Sequence, residues 1–389
     1  MIVPLSYNVR NVRVRWRVTL LAVGGIALVV AAFTVLTSMA EGFAAALRST
    51  GRHDNAIVVQ RGSASELTSG ITIADRNLIT VDERVARGPD GQPLATWEWV
   101  IVISLPKAGD GQPTNVTLRA VTQKTFDVRG GIRIVEGRRF TPGLDEVIVG
   151  RKIAGRIRGL EVGGAVKYQR KQFKVVGHFV SDGAAFESEI WGDYDTFGAT
   201  FQRGSGSNSL VMRMKDPSQI PAFDRWIRAQ PGMQLQALSE RKYYEDQAGP
   251  VAKSLKGLAF FVAFVMGVGA IFGAMNTMYA IVAARTREVG TLRALGFSRR
   301  AILFCFVVES SFLALIGGAL GVLVAFPMNG FSTGTAQTQS FSEIAFAFRI
   351  TPAMVGAGLT FALVMGVIGG LLPALRAARM SITSALREA

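Results

Sequence analysis

The chain has 389 residues, 43 Lys+Arg against 28 Asp+Glu, and a mean hydropathy of +0.30. Charged residues make up 18%, against about 25% in an ordinary soluble domain, and the apolar excess sits in a few long blocks, so the class is membrane protein and the +15 charge does not indicate a nucleic-acid partner. One Cys cannot close an intrachain disulfide, and one Cys with two His falls short of the three or four ligands of a metal cluster.

Residues 1–17 carry Arg10, Arg13, Arg15 and Arg17 and no acid, and read as a cytoplasmic amphipathic segment. Residues 18–40 are 23 positions without a charge, enough to cross a hydrocarbon core of ~30 Å. This run is longer than the roughly 7–15 residues of a signal-peptide core, and no convincing cleavage site follows it. It is expected to be a retained first span. Helix-compatible sequence continues to about Ser49, with Phe43, Ala44 and Leu47 on one face. Such a helix is ~48 Å long and would project beyond the lipid.

Residues 41–255 hold 29 basic and 24 acidic residues, a soluble composition, and are numerous enough to bury their own core. Strands are expected at 55–60, 97–105, 116–121 and 146–149, with a hairpin over 165–180. A strand–helix–strand run follows at 209–214, 220–229 and 233–238. Gly204-Ser205-Gly206-Ser207 reads as a loop. Residues 240–255 are helix-compatible, with a kink expected at Gly249-Pro250. The segment 151–174 concentrates eight basic residues against Glu161; it suits either an anionic lipid or acidic surface or plain solvation. His53 and His178 have no ligand-like companions nearby in sequence.

The second span is expected at 257–284, a cytoplasmic helix within 285–300, the third span at 301–326, a short outer loop at 327–349, the fourth span at 350–375 and a cytoplasmic tail at 376–389. The three segments taken as cytoplasmic hold 12 basic and 2 acidic residues, as the positive-inside rule requires. The fold expected is therefore an α-helical membrane domain of four transmembrane helices plus a large extracytoplasmic α/β domain on helical stalks.

Within the spans, Glu309 is an ionisable group in an apolar run, costly unless paired. Counting from the inner ends of antiparallel spans places Asn276 and Thr277 at its depth, so an intramembrane polar clamp of Glu309 with Asn276 or Thr277 is expected. Small residues recur at close-packing spacing in Gly269 and Gly273, Gly317 and Gly321, and Gly366 and Gly370; which pair serves a dimer and which the protomer interior stays open. Cys305 reads as a small apolar filler. Val289, Leu292 and Leu295 form an apolar stripe between the second and third spans, flanked by Arg287, Glu288 and Arg293. Composition fits a partner-docking helix and a membrane-surface turn equally well. The sequence has no G-x-x-x-x-G-K-[ST] loop; Gly249-Pro250-Val251-Ala252-Lys253-Ser254 lacks the Gly before Lys. No nucleophile elbow or paired-carboxylate motif supports an ectoenzyme.

These features meet in a pattern that resembles the permeases of ABC transporters of the MacB/FtsX/LolC kind over nearly the whole chain. It rests on the helix-compatible stretch 5–17, on Val135-Glu136-Gly137-Arg138-Arg139-Phe140-Thr141 and Glu146-Val147-Ile148-Val149-Gly150-Arg151, and on Ala284-Arg285-Thr286-Arg287-Glu288-Val289-Gly290-Thr291-Leu292-Arg293-Ala294-Leu295-Gly296. Glu309 with Gly317-Gly318-Ala319-Leu320-Gly321, and Leu372-Pro373-Ala374-Leu375-Arg376-Ala377-Ala378-Arg379 ending in Ala385-Leu386-Arg387, complete it. The resemblance implies a porter-like outer part with a smaller subdomain inserted within roughly 115–205, and no cofactor in this chain. It further implies a cytoplasmic ATPase dimer that binds ATP and Mg, and a second permease copy. Residues 286–299 then become the ATPase-docking coupling helix, in a bacterial inner membrane with the large domain in the periplasm. The machine transmits motion rather than opening a channel, for export or extraction of a hydrophobic or amphipathic substrate with a periplasmic adaptor. The alternative is an FtsX-like signalling permease that activates a cell-wall hydrolase without transport.

Overall fold

The structure, a computed structural model, describes residues 16–336 and 342–382; the expected N-terminal segment up to residue 15 and Ala385-Leu386-Arg387 lie outside these. The elements of the first half are α1 (Trp16–Arg48), β1 (Asn55–Gln60), α2 (Ile73–Thr80), β2 (Ala95–Pro106), β3 (Pro113–Val121), α3 (Thr125–Arg129), β4 (Arg133–Gly137), β5 (Glu146–Gly150), α4 (Arg151–Ala154), β6 (Ala165–Tyr168) and β7 (Lys171–Val180). The second half adds β8 (Glu189–Asp193), α5 (Tyr194–Thr200), β9 (Ser209–Arg213), α6 (Ile220–Ala229), β10 (Leu235–Ser239), α7 (Glu240–Ala283), α8 (Thr286–Ala294), α9 (Arg299–Ala325), β11 (Ser332–Ala336), β12 (Glu343–Ala347) and α10 (Pro352–Arg379). Two units result: an α/β unit of Gly42–Ala252 with Ser332–Ala347, and a helical unit of the rest.

The α/β unit is built on one mixed ten-stranded sheet in the order β10-β1-β9-β2-β3-β8-β5-β7-β4, with β6 on β7. Antiparallel pairs dominate; β3 with β8 and β5 with β7 are parallel. The apolar strands β5 and β8 are buried throughout. Two cores form on this sheet. One gathers Val58, Leu210, Leu235, Phe223 and Ile227 under α6; the other gathers Ile101, Leu118, Val149, Phe173, Ile190 and Phe197. The second core also draws on β2, ahead of the 115–205 range expected for an inserted subdomain. It shares the sheet with the first because β2, twelve residues long, runs from one core to the other, with Trp97 packed against both.

The outer loop at 327–349 is more than a connection. Its residues form the hairpin β11–β12, in register from Ser332↔Ala347 to Ala336↔Glu343, and this hairpin is part of the α/β unit. Glu343 pairs with Arg156 and accepts from Thr114 Oγ1 at 2.9 Å. Ser188 Oγ accepts from the Ala345 N–H at 2.8 Å, and Phe346 meets Phe43 edge-on at 5.7 Å. The hairpin escapes sequence reading because its short run alternates weakly and its partners lie more than 150 residues away.

Among the described residues four helices, α1, α7, α9 and α10, are long and apolar enough to cross a membrane. α7 has 44 residues, ~66 Å of helix, and contains Pro250, the position where a kink is expected. Two glycine pairs are used inside the helical unit. A Cβ on Gly317 or Gly321 would meet the Val23 and Ala27 carbonyls of α1 at 2.8 and 2.5 Å, and one on Gly366 would meet Ala314 of α9 at 2.4 Å. Gly370 abuts Ser310 of α9 in the same way. Beside Gly269 and Gly273 nothing lies within 4 Å.

Half of the basic run 151–174 is absorbed in ion pairs: Arg151 pairs with Glu136, Lys152 with Glu187, Arg156 with Glu343 and Lys171 with Asp145. His178 is structural, its ring nitrogens on Glu136 at 3.0 Å and the Leu160 carbonyl at 2.7 Å. Arg138 and Glu146, from the two outer-domain motifs, join at 2.7 Å. That hydrogen bond and the Thr141 N–H hold the Glu146 carboxyl down to about 2. Because the folded value is depressed, this pair contributes stability above the ordinary glutamate range and loses it as pH falls toward 2.

Candidate functional site

The segment that joins α7 to α9 is short, charged and locked. α7 ends at Ala283, and a turn sets Arg285 at the head of α8. α8 ends in a paired C-cap: Phe297 N–H donates to the Leu292 carbonyl and Gly296 N–H to that of Arg293, both at 3.1 Å. Gly296 adopts φ +92°, a conformation for which glycine is the natural residue. Ser298 then caps α9, its side chain accepting from Ala301 N–H at 3.2 Å.

Three contacts hold α8 to the helical unit. Arg285, only 5% exposed, donates to Glu309 at 2.7 Å and to Glu288 at 2.9 Å, with its guanidinium 5.1 Å from the Phe306 ring. Val289, 3% exposed, enters a cluster with Met278, Ile281, Ile302, Phe306 and Ala374. Arg293 donates to the Ala378 carbonyl at 2.9 Å and to that of Met380 at 3.4 Å, filling acceptors that the end of α10 leaves open.

This geometry corrects two expectations. Glu309 is paired, but with Arg285 rather than with Asn276 or Thr277: Asn276 is exposed, and Thr277 donates to the Gly273 carbonyl at 3.0 Å. Depth counted along the backbone misses this partner, because Cα–Cβ bonds tilt toward the helix N-terminus. The Glu309 carboxylate therefore leans toward the start of α9, and the long Arg285 stem reaches up to it. The apolar stripe is also divided. Val289 and the half-buried Leu292 pack on the protein's own helices, and Arg293 is spent on α10. Leu295, at 69% exposure, projects outward together with Arg287, Glu288 and Thr291.

In a low-dielectric bundle the Arg285–Glu309 pair matters mainly through what its loss leaves behind. Arg285→Met and Glu309→Leu are each expected to destabilise the protein by about 3 kcal/mol, and the double variant by clearly less than the sum. Thermal unfolding of the four species in lipid nanodiscs measures this; additive losses would show that the pair is not coupled.

A second constellation lies in the α/β unit. Arg119 on β3 forks onto Glu189 (2.7 and 2.9 Å) and also binds Glu66 (2.9 Å) and Glu98 (2.8 Å). Arg129, at the end of α3, forks onto Glu98 at 3.0 and 2.7 Å and pairs with Glu240, the first residue of α7. Glu240 also accepts from Arg52 N–H at 3.1 Å and Asn55 Nδ2 at 2.9 Å. Tyr244, Ser209 and Trp191 donate to the same carboxylates. Four acids thus face two cations, all buried. Burial pushes Glu66 up, but the Arg119 charge and hydrogen bond outweigh it and leave it lowered; at Glu240 burial prevails and the carboxyl is raised. Sequence reading missed this network. Its one signal was a charge inside each of several buried strands, Glu98, Arg119 and Glu189. Among the described residues no group of three or more His, Cys, Asp or Glu is placed to hold a metal ion.

The profile described as MacB-like periplasmic core domain matches residues 19–230, and that described as FtsX-like permease C-terminal matches residues 260–382. The chain is 28% identical to the ABC transporter permease YvrN of Bacillus subtilis (strain 168), over 95% of each chain. It is 24% identical to the macrolide export ATP-binding/permease protein MacB of Neisseria gonorrhoeae (strain ATCC 700825 / FA 1090), over 70% of this chain and 43% of that one. It therefore spans nearly all of the Bacillus relative but less than half of the MacB one. Among solved structures, the extracellular domain of the ABC-type transporter YknZ from Gram-positive bacteria aligns with 47% of this chain and 99% of its own, at 18% identity and a TM-score of 0.36.

Proposed function

This chain belongs to the ABC transporter permeases with a MacB-like periplasmic core domain and an FtsX-like C-terminal part, and we propose that it couples ATP hydrolysis by a separate cytoplasmic ATPase dimer to motion of its α/β unit. The observation that carries the reading is α8, held by Arg285, Val289 and Arg293 while Leu295, Arg287 and Thr291 face away from the bundle. A force-transmitting element needs this division: a fixed inner face, so that a push is not absorbed, and an outer face with an apolar knob and charges that set register. The chain reaches the α/β unit through three routes, α1, α7 and the β11–β12 hairpin, which supports mechanical transmission over a channel between spans. ATP and Mg belong to the partner, and the cargo is a hydrophobic or amphipathic substrate exported or extracted at the outer side of a bacterial inner membrane with an adaptor.

A second permease copy fits the face of α7 that bears Gly269 and Gly273. Phe261 and Phe272, within about a quarter-turn of Gly269 on the helix wheel, are more than 60% exposed, and small residues permit the close approach that holds helices together in lipid. In a Cys305→Ala background, Gly269→Cys or Gly273→Cys is expected to form disulfide-linked dimers in native membranes, and Gly317→Cys to form none. The reverse pattern would remove this interface.

The coupling itself is tested by co-expressing the permease with candidate ABC ATPases of the same organism and measuring ATPase rates of any complex in nanodiscs. The expected result is stimulation by one class among lipids, lipoproteins and amphipathic peptides. Failure of any ATPase to co-purify would sink the proposal; a flat response to every cargo, with stimulation by a cell-wall hydrolase, would replace transport by signalling.

A further inference from the structure

We propose that a cleft on the α/β unit, between α2, β2 and α5, binds a small amphipathic anion: an acidic head joined to a compact apolar body. The cleft, of about 510 Å³, is lined by Arg76, Trp97, Thr122, Tyr194 and Arg203, with Ile73 at its edge. That volume suits a drug-sized ligand.

Local structure explains why the two cations face it. Thr72 caps α2, accepting from Asp75 N–H at 3.1 Å, and Arg76 on the next turn lies over Trp97 with its guanidinium 4.1 Å from the ring centre. At the other wall α5 closes with Arg203 N–H donating to the Gly198 carbonyl at 2.9 Å. Gln202 is held at φ +50°, a left-handed conformation that costs a residue with a Cβ about 1 kcal/mol or more. This turn carries Arg203 back over Trp99, 5.7 Å from its ring.

Three observations point to an anionic occupant. Neither Arg76 nor Arg203 is in an ion pair among the described residues, whereas Arg119, Arg129 and Arg138, elsewhere in the unit, are paired. Two buried donors, Arg76 Nε and Trp99 Nε1, make no well-formed hydrogen bond within the chain and have the Tyr194 hydroxyl as their nearby acceptor; Trp99 is 8% exposed, and its indole nitrogen lies 4.0 Å from where a Cβ on the cleft residue Gly198 would stand. Tyr194 is 8% exposed and spends its proton on the Gly206 carbonyl, so it adds a neutral ring, edge-on to Trp97 at 6.3 Å. One carboxylate, Asp195, also lines the cleft, leaving an excess of one positive charge. Guanidinium forks suit a carboxylate, sulfonate or phosphate. Ile73, 37% exposed, and the faces of Trp97 and Tyr194 suit an apolar body.

The test uses the full chain in nanodiscs, without nucleotide or ATPase, so its outcome is independent of the coupling proposed above. Calorimetric titration with 2-naphthalenesulfonate, corrected for empty nanodiscs, is expected to give saturable one-site binding, with a Kd on the order of 0.1 mM. Inorganic sulfate and 2-naphthylmethylammonium are each expected to bind at least about tenfold more weakly, since each lacks half of the recognition. Arg203→Glu, on an exposed loop, and Arg76→Gln are each expected to weaken naphthalenesulfonate about tenfold. Arg61→Glu, an exposed position after β1, is expected to change it less than twofold. The inference is overturned by absence of saturable binding up to millimolar ligand, by equal binding of the ammonium analogue, or by equal losses in Arg203→Glu and Arg61→Glu, which would reveal only long-range charge.

Discussion

Leu295→Glu is expected to leave the permease folded and to weaken ATPase docking about thirtyfold or more, abolishing cargo-stimulated hydrolysis. The reasoning is positional. Leu295 sits at the C-terminal end of α8, 69% exposed, where it costs nothing to the bundle when changed, whereas a knob seated in a partner's groove contributes about 2 kcal/mol or more. Val289→Asp makes the opposite prediction: a charge placed among Met278, Ile302 and Phe306 destabilises the helical unit itself, whatever the partner does. Arg287→Glu, at the rim, should change docking only a few-fold and mostly through its salt dependence. Pull-down affinity and thermal unfolding, measured on the same three variants, separate these outcomes. Normal docking by Leu295→Glu would mean that the outer face of α8 is not the coupling surface.

The second large effect is expected from Arg119→Met. The substitution keeps volume and apolar stem but strands Glu66, Glu189 and part of Glu98, all buried. Breaking a buried pair in this manner costs about 3–5 kcal/mol, or a fall in midpoint of roughly 10 °C for a unit of this size. The pH dependence should also change sign. In the parent, Glu66 is held low by Arg119, so its contribution is present above the ordinary glutamate range and lost on acidification. In the variant the stranded carboxylates are raised by burial alone, so the defect is greatest at neutral pH and eases as the pH drops. Thermal unfolding of the full chain in nanodiscs between pH 3 and 8 measures both; a variant as stable as the parent at pH 7.5 would show that the network is not needed for folding. Glu240 begins α7, so the same loss would free the α7 start from Arg129 only if Glu98 also shifted, and Arg129→Met tests that linkage in the same assay.

Much of the architecture was legible before any coordinates. Charge-free runs long enough for lipid and the balanced composition of 41–255 mark four long apolar helices and one large α/β unit. Strands with strong alternation or dense β-branching, such as β1 and β7, were recoverable for the same reason: their signal lies within a few neighbouring residues. Weak segments were not. α2 (IADRNLIT) and β8 (EIWGD) carry poor intrinsic preference and are shaped by the sheet around them.

The site divides along the same line. That an α8-like element follows the second span, that Glu309 needs a partner and that small residues line the spans are properties of local sequence, because periodicity and desolvation act over a turn or two. Which partner Glu309 takes, which side of α8 faces outward, which glycine pair is left open and how six charged residues from 66 to 240 meet in one buried network depend on contacts across some 20 to nearly 300 positions. Those contacts are chosen by packing and by the demand that every buried charge be compensated, and only the folded chain shows how both are met at once.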